Sequence, residues 1–171
     1  GGKVLPEKSF VITFDDGHAD LYTNALPLLI KYDFKAVVFV ITGKVGQLDF
    51  LTEGQLKEMV KTGLIEIGSH TLTHEYLGVI STWARQEVFL SKAWLEENLN
   101  VLVPGFAYPG GSKNGETEAL VREAGYGAAA GVGVGVADEK SDPYDLPRLR
   151  VGNLTGEELL SLIEKYEKEK E

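Results

Sequence analysis

Short apolar runs alternate along the chain with longer segments in which apolar residues recur every three or four positions. The runs predict buried strands, and the periodic segments predict amphipathic helices. We predict strands at residues 10–14, 36–41, 64–68, 105–109, 126–136 and 149–151. We predict helices at residues 21–32, 52–62, 81–98, 114–124 and 155–170.

This alternation of strands and helices predicts an α/β protein with a parallel sheet or barrel. About six such units fit in the chain, which is fewer than the eight of a full barrel. In folds of this kind the chemistry gathers at the carboxyl ends of the strands. No linker-like stretch divides the sequence, so we expect a single domain over residues 1–171.

Local signals refine the helices. Thr52 and Asn114 have residue types that cap helix starts. Pro27 either kinks the first helix or marks a late start. Five large apolar residues of the third helix are expected in the core: Trp83, Val88, Leu90, Trp94 and Leu95.

Composition narrows the classes of function. The net charge of −9 argues against a nucleic-acid binder, because such a protein needs a basic surface to neutralise phosphates. The chain has no Cys, which excludes disulfides and a thiolate nucleophile. No apolar run approaches the roughly 20 residues of a membrane-spanning helix. The sequence begins at Gly1 without Met or a signal peptide, so we expect that an N-terminal segment has been removed.

Carboxylates and imidazoles follow two of the predicted strands. Asp15 and Asp16 end the first strand, and His70 and His74 follow the third. If these strands are parallel neighbours, the four side chains meet at one rim of the sheet. Two His and one Asp form a ligand set for a catalytic divalent metal, Zn²⁺ before Co²⁺ or Ni²⁺. The second Asp is then free to act as a base.

Each half of this pattern has a simpler interpretation. An isolated Asp-Asp-Gly is usually an Asx turn, with Gly17 at positive φ. A His pair four residues apart usually lies on the surface or in the core, although on a helical turn both rings can reach one metal. The chain has three His, and two of them occur here. The combination of the two halves therefore favours a metal site.

Further residues near the strand ends are candidates for substrate contacts. Phe106, Tyr108 and Tyr76 could form an aromatic wall along an open rim. The Gly-rich turn after Pro109 could offer backbone N–H groups to an oxyanion. The simpler interpretation of this segment is an ordinary exit from a strand.

Two charged or titratable residues also have two interpretations each. His18 directly follows the Asp-Asp-Gly segment, and it lines the groove or lies on the surface. Arg148 is solvated, or it pairs with Asp15 and holds the geometry of that carboxylate.

Three segments together resemble the first three motifs of the polysaccharide deacetylases, carbohydrate esterase family 4. They read TFDDG at residues 13–17, SHTLTH at 69–74 and FAYPGG at 106–111. Their order, spacing and strand context match the family over nearly the whole chain. The resemblance implies a distorted, incomplete (β/α) barrel. It also implies metal-dependent removal of N-acetyl groups from the N-acetylglucosamine units of a polysaccharide.

The resemblance assigns roles to individual residues. Asp15 becomes the general base, and Asp16, His70 and His74 become the metal ligands. The backbone N–H of Gly110 falls where the family stabilises the oxyanion. Four residues are the expected substrate contacts: Phe106, Tyr108, Pro109 and His18.

The sequence departs from the family at two places. Many members carry an Arg in the third motif that braces the base; this chain has Ala107 there, and Arg148 is the candidate replacement. Many members also carry a late His as the general acid, and no His follows His74 here. The acid would then come from a segment outside this chain, from His18 or from water.

The form of the third motif resembles that of the biofilm poly-β-1,6-N-acetylglucosamine deacetylases, which carry a further His-bearing strand before the first motif. We therefore expect that polymer as the substrate, with peptidoglycan and chitin as alternatives. A noncatalytic carbohydrate-binding relative and an amidohydrolase of small amides are the rival hypotheses, and the retained Asp15 argues against the first. We expect an extracytoplasmic monomer, secreted or associated with the cell surface.

Overall fold

Five parallel strands form one sheet, in which neighbours follow the order of the chain from β1 to β5. The computed structural model describes residues 9–79 and 82–168. Consecutive pairing of parallel strands is the arrangement of a (β/α) barrel wall. The strands are β1 (Ile12–Phe14), β2 (Ala36–Val40), β3 (Ile65–Ser69), β4 (Gly105–Ala107) and β5 (Ala128–Ala130).

A helix follows each of these strands, and a π-helical turn, Leu21–Ala25, leads into the first helix. The helices are α1 (Leu26–Tyr32), α2 (Glu53–Lys61), α3 (Ala84–Leu99), α4 (Gly115–Glu123) and α5 (Gly156–Lys168). The predicted start of the third helix at Ser81 and the predicted end of the last at Lys170 lie outside the described residues. Within the described ranges, no helix combines the length and apolar character needed to cross a membrane.

The sheet forms a curled half-barrel with helices, which confirms the incomplete barrel expected from the sequence. β1 lies at one edge. Next to β5, at the other edge, Leu146 makes an isolated parallel bridge to Ala130. The sixth predicted unit is therefore reduced to a single bridge in the part of the chain that the structure describes.

Two predicted strands near the C-terminus are wrong. Residues 126–136 form only the three-residue β5, after which Val132 and Val134 are exposed, because the alternating glycines weaken a strand. Residues 149–151 form no strand. The sheet contact falls earlier, at Leu146, and does not continue because the Arg148 N–H donates to the Gly133 carbonyl (2.9 Å) instead of the Gly131 carbonyl.

The apolar side chains form two clusters on opposite faces of the sheet. The large one packs the outer face against the helices and includes Val38, Val40, Leu56, Met59, Ile67, Leu95, Phe106 and Tyr108. The small one lies inside the half-barrel and consists of Phe39, Ala107 and Ala130. Because two of its three members are alanines, the interior leaves room for longer side chains at the rim.

The helix starts at Thr52 and Asn114 are confirmed, and both are capping boxes. The Thr52 hydroxyl accepts from the Gln55 N–H (3.2 Å), and the Gln55 side chain accepts from the Thr52 N–H (2.9 Å). Asn114 and Thr117 make the same reciprocal pair. Each box satisfies two N–H groups that have no partner inside the helix. Pro27 is the second residue of α1, and helical backbone already precedes it in the π-helical turn, so the late start is not observed.

The buried face of α3 differs from the predicted one. Val88 and Leu95 are buried as expected, and Trp94 packs partly buried against the core. Trp83 and Leu90 are 63% and 52% exposed, so their assignment to the core is wrong. The helix instead buries a stripe at helical spacing that includes small and polar residues: Ala84, Glu87, Val88, Ser91, Leu95 and Leu99. Periodicity of large apolar residues alone could not identify this face.

Candidate active site

The two acidic residues lie directly after β1, where the chain turns sharply. Asp16 and Gly17 both have left-handed backbones, with φ of 72° and 82°. The Gly17 N–H donates to the Asp15 carbonyl (2.9 Å), and the Asp16 carbonyl accepts from the Ile41 N–H (3.3 Å). This turn lets neighbouring carboxylates face the same rim, which they could not do on a regular strand.

Asp16, His70 and His74 converge at the carboxyl ends of β1 and β3, as the sequence predicted. Asp16 Oδ1 lies 3.5 Å from His70 Nε2 and 3.4 Å from His74 Nε2. Each residue offers one ligand atom, and the three atoms lie within 4.8 Å of one another. Tetrahedral coordination with bonds of about 2.0–2.1 Å places ligand atoms about 3.3–3.4 Å apart. The donor set and its spacing therefore fit a divalent metal.

The orientation of the His70 ring is fixed by burial and by a hydrogen bond at Nδ1, the ring nitrogen that does not face Asp16. Its side chain is 2% exposed, and its Nδ1 lies 2.7 Å from the Ala107 carbonyl oxygen. A hydrogen bond donated from Nδ1 leaves Nε2 unprotonated and directed at Asp16. Burial lowers the pKa of His70 and outweighs the nearby charge of Asp15, which acts to raise it. The neutral ring that results is the form that binds metals.

The segment that carries the two imidazoles is a loop and not a helical turn. Thr71 and His74 have left-handed backbones, with φ of 70° and 72°. The Thr71 hydroxyl accepts from the His74 N–H (2.9 Å). The two rings meet edge to face, with centroids 5.0 Å apart. The loop, rather than helical spacing, brings both rings to one point.

Arg148 makes the predicted contact with Asp15, and the contact is bidentate. Nη1 donates to Asp15 Oδ1 (2.7 Å) and Nη2 donates to Oδ2 (2.8 Å). Arg148 also donates to the Gly131 carbonyl after β5 (3.2 Å) and to the Thr13 hydroxyl of β1 (3.2 Å). The guanidinium thus links the two edges of the open barrel. Ala107 shares this interior, and a small residue there leaves space for it.

Opposing effects act on the Asp15 carboxyl group. Burial by itself raises its pKa. The hydrogen bonds and charge of Arg148, followed by the electrostatic effect of the neighbouring imidazoles, outweigh burial and hold the pKa below the ordinary value of 3.8. Asp15 is therefore ionised at neutral pH, as a proton acceptor must be.

The predicted aromatic wall of Phe106 and Tyr108 is wrong. Both side chains are 0% exposed, and they pack edge to face with centroids 5.2 Å apart on the outer face of β4. Alternation along the strand explains this, because Ala107 takes the position that faces the barrel interior. Pro109 is also buried and begins the turn that follows.

The Gly110-Gly111 turn is flanked by two half-exposed side chains. Both glycines have positive φ, 57° and 66°. A Cβ on Gly110 would lie 2.3 Å from a ring atom of Tyr76, and one on Gly111 would lie 2.3 Å from a methyl of Val132. Tyr76 and Val132 are 53% and 56% exposed. Tyr76, also expected at the rim, is the aromatic residue that lies there.

His18 lies at the rim on the other side of Asp16. Its Nε2 is 3.7 Å from Asp16 Oδ2, and its ring stacks on Phe50 with centroids 4.8 Å apart. Its Nδ1 faces the Asp49 carbonyl at 3.4 Å. The side chain is half exposed and borders a cavity of about 290 Å³ with Ala19, Asp20 and Asp49. This position is consistent with a groove-lining residue.

Sequence reasoning missed Glu87 of α3. Its carboxylate is 5% exposed and accepts hydrogen bonds from the loop that carries the two imidazoles. Periodicity gave no signal for it, because Glu87 lies on the buried stripe of small and polar residues that only the structure identifies. A carboxylate on such a stripe needs a buried partner.

Comparison with known proteins identifies the class. The polysaccharide deacetylase family model matches residues 2–129, which is more than half of the 171-residue chain. The chain therefore belongs to the polysaccharide deacetylase family. This confirms the resemblance inferred from the three motifs.

Individual relatives are similar over much of this chain. It is 37% identical over 146 residues to the protein YxkH of Bacillus subtilis strain 168, named as a putative polysaccharide deacetylase. It is 31% identical over 172 residues to the poly-β-1,6-N-acetyl-D-glucosamine N-deacetylase of Staphylococcus aureus MSSA476. These matches cover 85% and 91% of this chain, which spans 52% and 59% of those two proteins.

A solved structure agrees closely with the half-barrel. The Streptococcus pyogenes deacetylase PplD, determined in complex with acetate, superposes with a TM-score of 0.87 at 34% sequence identity. The match covers 94% of this chain and 73% of PplD.

We predict that Arg148→Met lowers the free energy of unfolding of metal-free protein by about 2 kcal/mol at pH 7, because it leaves a half-buried carboxylate unpaired. Since the folded-state pKa of Asp15 is below 3.8, the pair contributes fully above about pH 5 and is lost as the pH falls through 3.8 and the folded-state value. Urea unfolding with chelator present, at a series of pH values, measures the difference.

The control is Arg85→Met, which removes another bidentate arginine–carboxylate pair, with Glu123. That pair is more than half exposed on both sides, so its loss should leave unfolding nearly unchanged. Equal effects of the two substitutions, or an Arg148 effect that grows toward low pH, would contradict the prediction.

Proposed function

We propose that the protein is a metal-dependent polysaccharide N-deacetylase that removes acetyl groups from N-acetylglucosamine units. The observation that carries this proposal is the joint placement of a three-residue metal ligand set and a separate, arginine-braced carboxylate at one rim. A sugar-binding protein without catalysis would need neither a neutral, oriented His70 nor an ionised Asp15 outside the ligand set.

Asp16, His70 and His74 are the residues that would hold the metal, and Zn²⁺ suits one carboxylate and two imidazoles. When bound, a divalent metal supplies Lewis acidity that lowers the pKa of a water molecule and polarises a carbonyl oxygen. The chain itself contributes the orientation of the ligands: Ala107 fixes the tautomer of His70, and the Thr71 hydroxyl fixes the backbone at His74.

Asp15 is the proposed general base. It takes the proton from the water that attacks the acetamide carbonyl, while Arg148 holds both of its oxygens in place. The positive charge of Arg148 lowers the basicity of Asp15. The same charge keeps the carboxylate ionised, and the two hydrogen bonds hold it in place. The Gly110 N–H is the proposed donor to the oxyanion that develops on the carbonyl.

Poly-β-1,6-N-acetyl-D-glucosamine is the proposed polymer. The support is the staphylococcal relative, which is named for that substrate and aligns with 91% of this chain. Such a polymer lies outside the cell, so we propose an extracytoplasmic location, secreted or at the cell surface.

Acetate release tests this function directly. Zinc-loaded protein is incubated with N-acetylated β-1,6-glucosamine oligomers, chitin oligomers and peptidoglycan fragments, and acetate is quantified with and without chelator. We expect release from the β-1,6 oligomers, abolished by chelator and restored by zinc. Release from β-1,4-linked substrates alone would reassign the polymer, and no release from any zinc-loaded sample would contradict the enzymatic proposal.

The same assay tests the base. Asp15→Asn should keep metal stoichiometry and lower the rate by about 10²–10⁴-fold, because the amide cannot accept the proton. Glu123→Gln, which changes an exposed arginine-paired carboxylate in the same way, should have the activity of the unchanged protein. Activity of Asp15→Asn within a few-fold of that level would mean that Asp15 has a structural role.

Tyr76 is the proposed aromatic contact with the sugar, in place of the buried Phe106 and Tyr108. Its ring lies on Gly110, the proposed oxyanion donor, and meets the ring of His74 edge to face at 6.2 Å. It therefore lies between two groups that surround the reacting acetamide, with half of its surface free. An aromatic ring in this place can pack against a pyranose ring.

We predict that Tyr76→Ala raises KM about 2- to 10-fold while kcat and zinc content change little, because a packing contact with the sugar is lost. Initial rates over a range of oligomer concentrations separate the two constants. Tyr32→Ala removes an equally exposed tyrosine at the end of α1 and should change neither. An unchanged KM for Tyr76→Ala would remove Tyr76 from the binding site.

A further inference from the structure

The loop that carries His70 and His74 contains backbone conformations that are uncommon for residues other than glycine. Thr71 and His74 are both left-handed, and this conformation is strained for a β-branched residue such as Thr71. Strain of this kind persists only where the surroundings enforce it. Contacts made by residues 71–73, between the two imidazoles, enforce this conformation.

The other side of the loop is attached to the segment after β2. The Thr42 N–H donates to the Thr71 carbonyl (3.2 Å), and the Gly43 N–H donates to the Leu72 carbonyl (2.7 Å). These contacts hold two carbonyl groups. They leave the N–H groups of Leu72 and Thr73 to be satisfied from elsewhere.

Glu87 satisfies them. Its Oε2 accepts from the N–H groups of Leu72 (2.9 Å) and Thr73 (2.8 Å), and its Oε1 accepts from the Thr73 hydroxyl (2.6 Å). The carboxylate is 5% exposed, so water cannot replace these bonds at low cost. Its place in the first turn of α3 also favours a negative charge, because of the helix dipole.

We infer that Glu87 is a positioning residue that sets the metal affinity of the site, by holding the loop in the conformation that brings His70 and His74 together. The inference rests on the proposed metal site. Glu87 lies on a different element from the ligands, and it acts through the backbone between them. Without it, metal binding would have to order the loop, and that cost would appear as weaker binding.

Glu87→Met is the sharpest substitution because it keeps the length of the side chain and removes both acceptor oxygens. The N–H groups of Leu72 and Thr73 and the Thr73 hydroxyl then lose their shared acceptor. Thr73→Val is a milder change that removes only the hydroxyl contact. Glu96→Met is the matched control: Glu96 lies on the same helix and accepts from the Val103 N–H (3.1 Å), away from the imidazole loop.

Zinc affinity, measured by competition with a chromophoric chelator, is the first readout. We expect Glu87→Met to bind zinc about 10–100-fold more weakly than the unchanged protein. Thr73→Val should weaken zinc binding less than Glu87→Met and should add little on top of it, because both remove the contact between the hydroxyl and the carboxylate. Glu96→Met should stay within about two-fold of the unchanged protein.

Amide hydrogen exchange of the metal-free proteins is the second readout. Glu87→Met should speed exchange at Leu72 and Thr73, and Glu96→Met should speed it at Val103 and not at the imidazole loop. Unchanged zinc affinity in Glu87→Met, or equal weakening in Glu96→Met, would overturn the inference. A different result, equal zinc binding by the unchanged protein and by His70→Ala, would instead contradict the proposed metal site, so the two failures are distinguishable.

Discussion

The bidentate pair between Arg148 and Asp15 is the interaction on which the site depends. The half-barrel is open between β1 and the segment after β5, and the guanidinium bridges that opening through Thr13, Asp15 and the Gly131 carbonyl. One side chain therefore closes the interior of the fold and fixes the carboxylate beside the metal ligands. It also explains why position 107 can be an alanine, since the arginine that braces Asp15 is supplied from the segment after β5.

The site is assembled on strained backbone that neighbouring elements support. Three left-handed residues other than glycine, Asp16, Thr71 and His74, lie in the two loops that carry the proposed ligand set. Each is held by hydrogen bonds from outside its own turn or from the adjacent hydroxyl, and Glu87 of α3 supports the imidazole loop from the helical layer. The positions of the proposed ligand side chains therefore depend on the packing of the barrel and of α3 together.

The sequence was sufficient to predict the class of fold, the convergence of Asp16, His70 and His74 and the pairing of Asp15 with Arg148. Apolar runs that end in Asp or His are local signals that can be read from the sequence. Because the strands are parallel, the residues at their carboxyl ends lie at one rim of the sheet. The errors in side-chain burial have a common cause, since burial depends on neighbours that a periodic pattern does not contain. Phe106 and Tyr108 face the helices because Ala107 faces the interior, and Glu87 is buried because the imidazole loop needs an acceptor.

The central claim is that Asp16, His70 and His74 hold one divalent metal next to a free carboxylate at Asp15. Diffraction from a zinc-soaked crystal, recorded on both sides of the zinc absorption edge, tests it most directly. The account predicts one strong anomalous peak about 2.0–2.2 Å from Asp16 Oδ1, His70 Nε2 and His74 Nε2, with Asp15 outside bonding distance. Zinc bound through Asp15, or bound only at other residues, would contradict it.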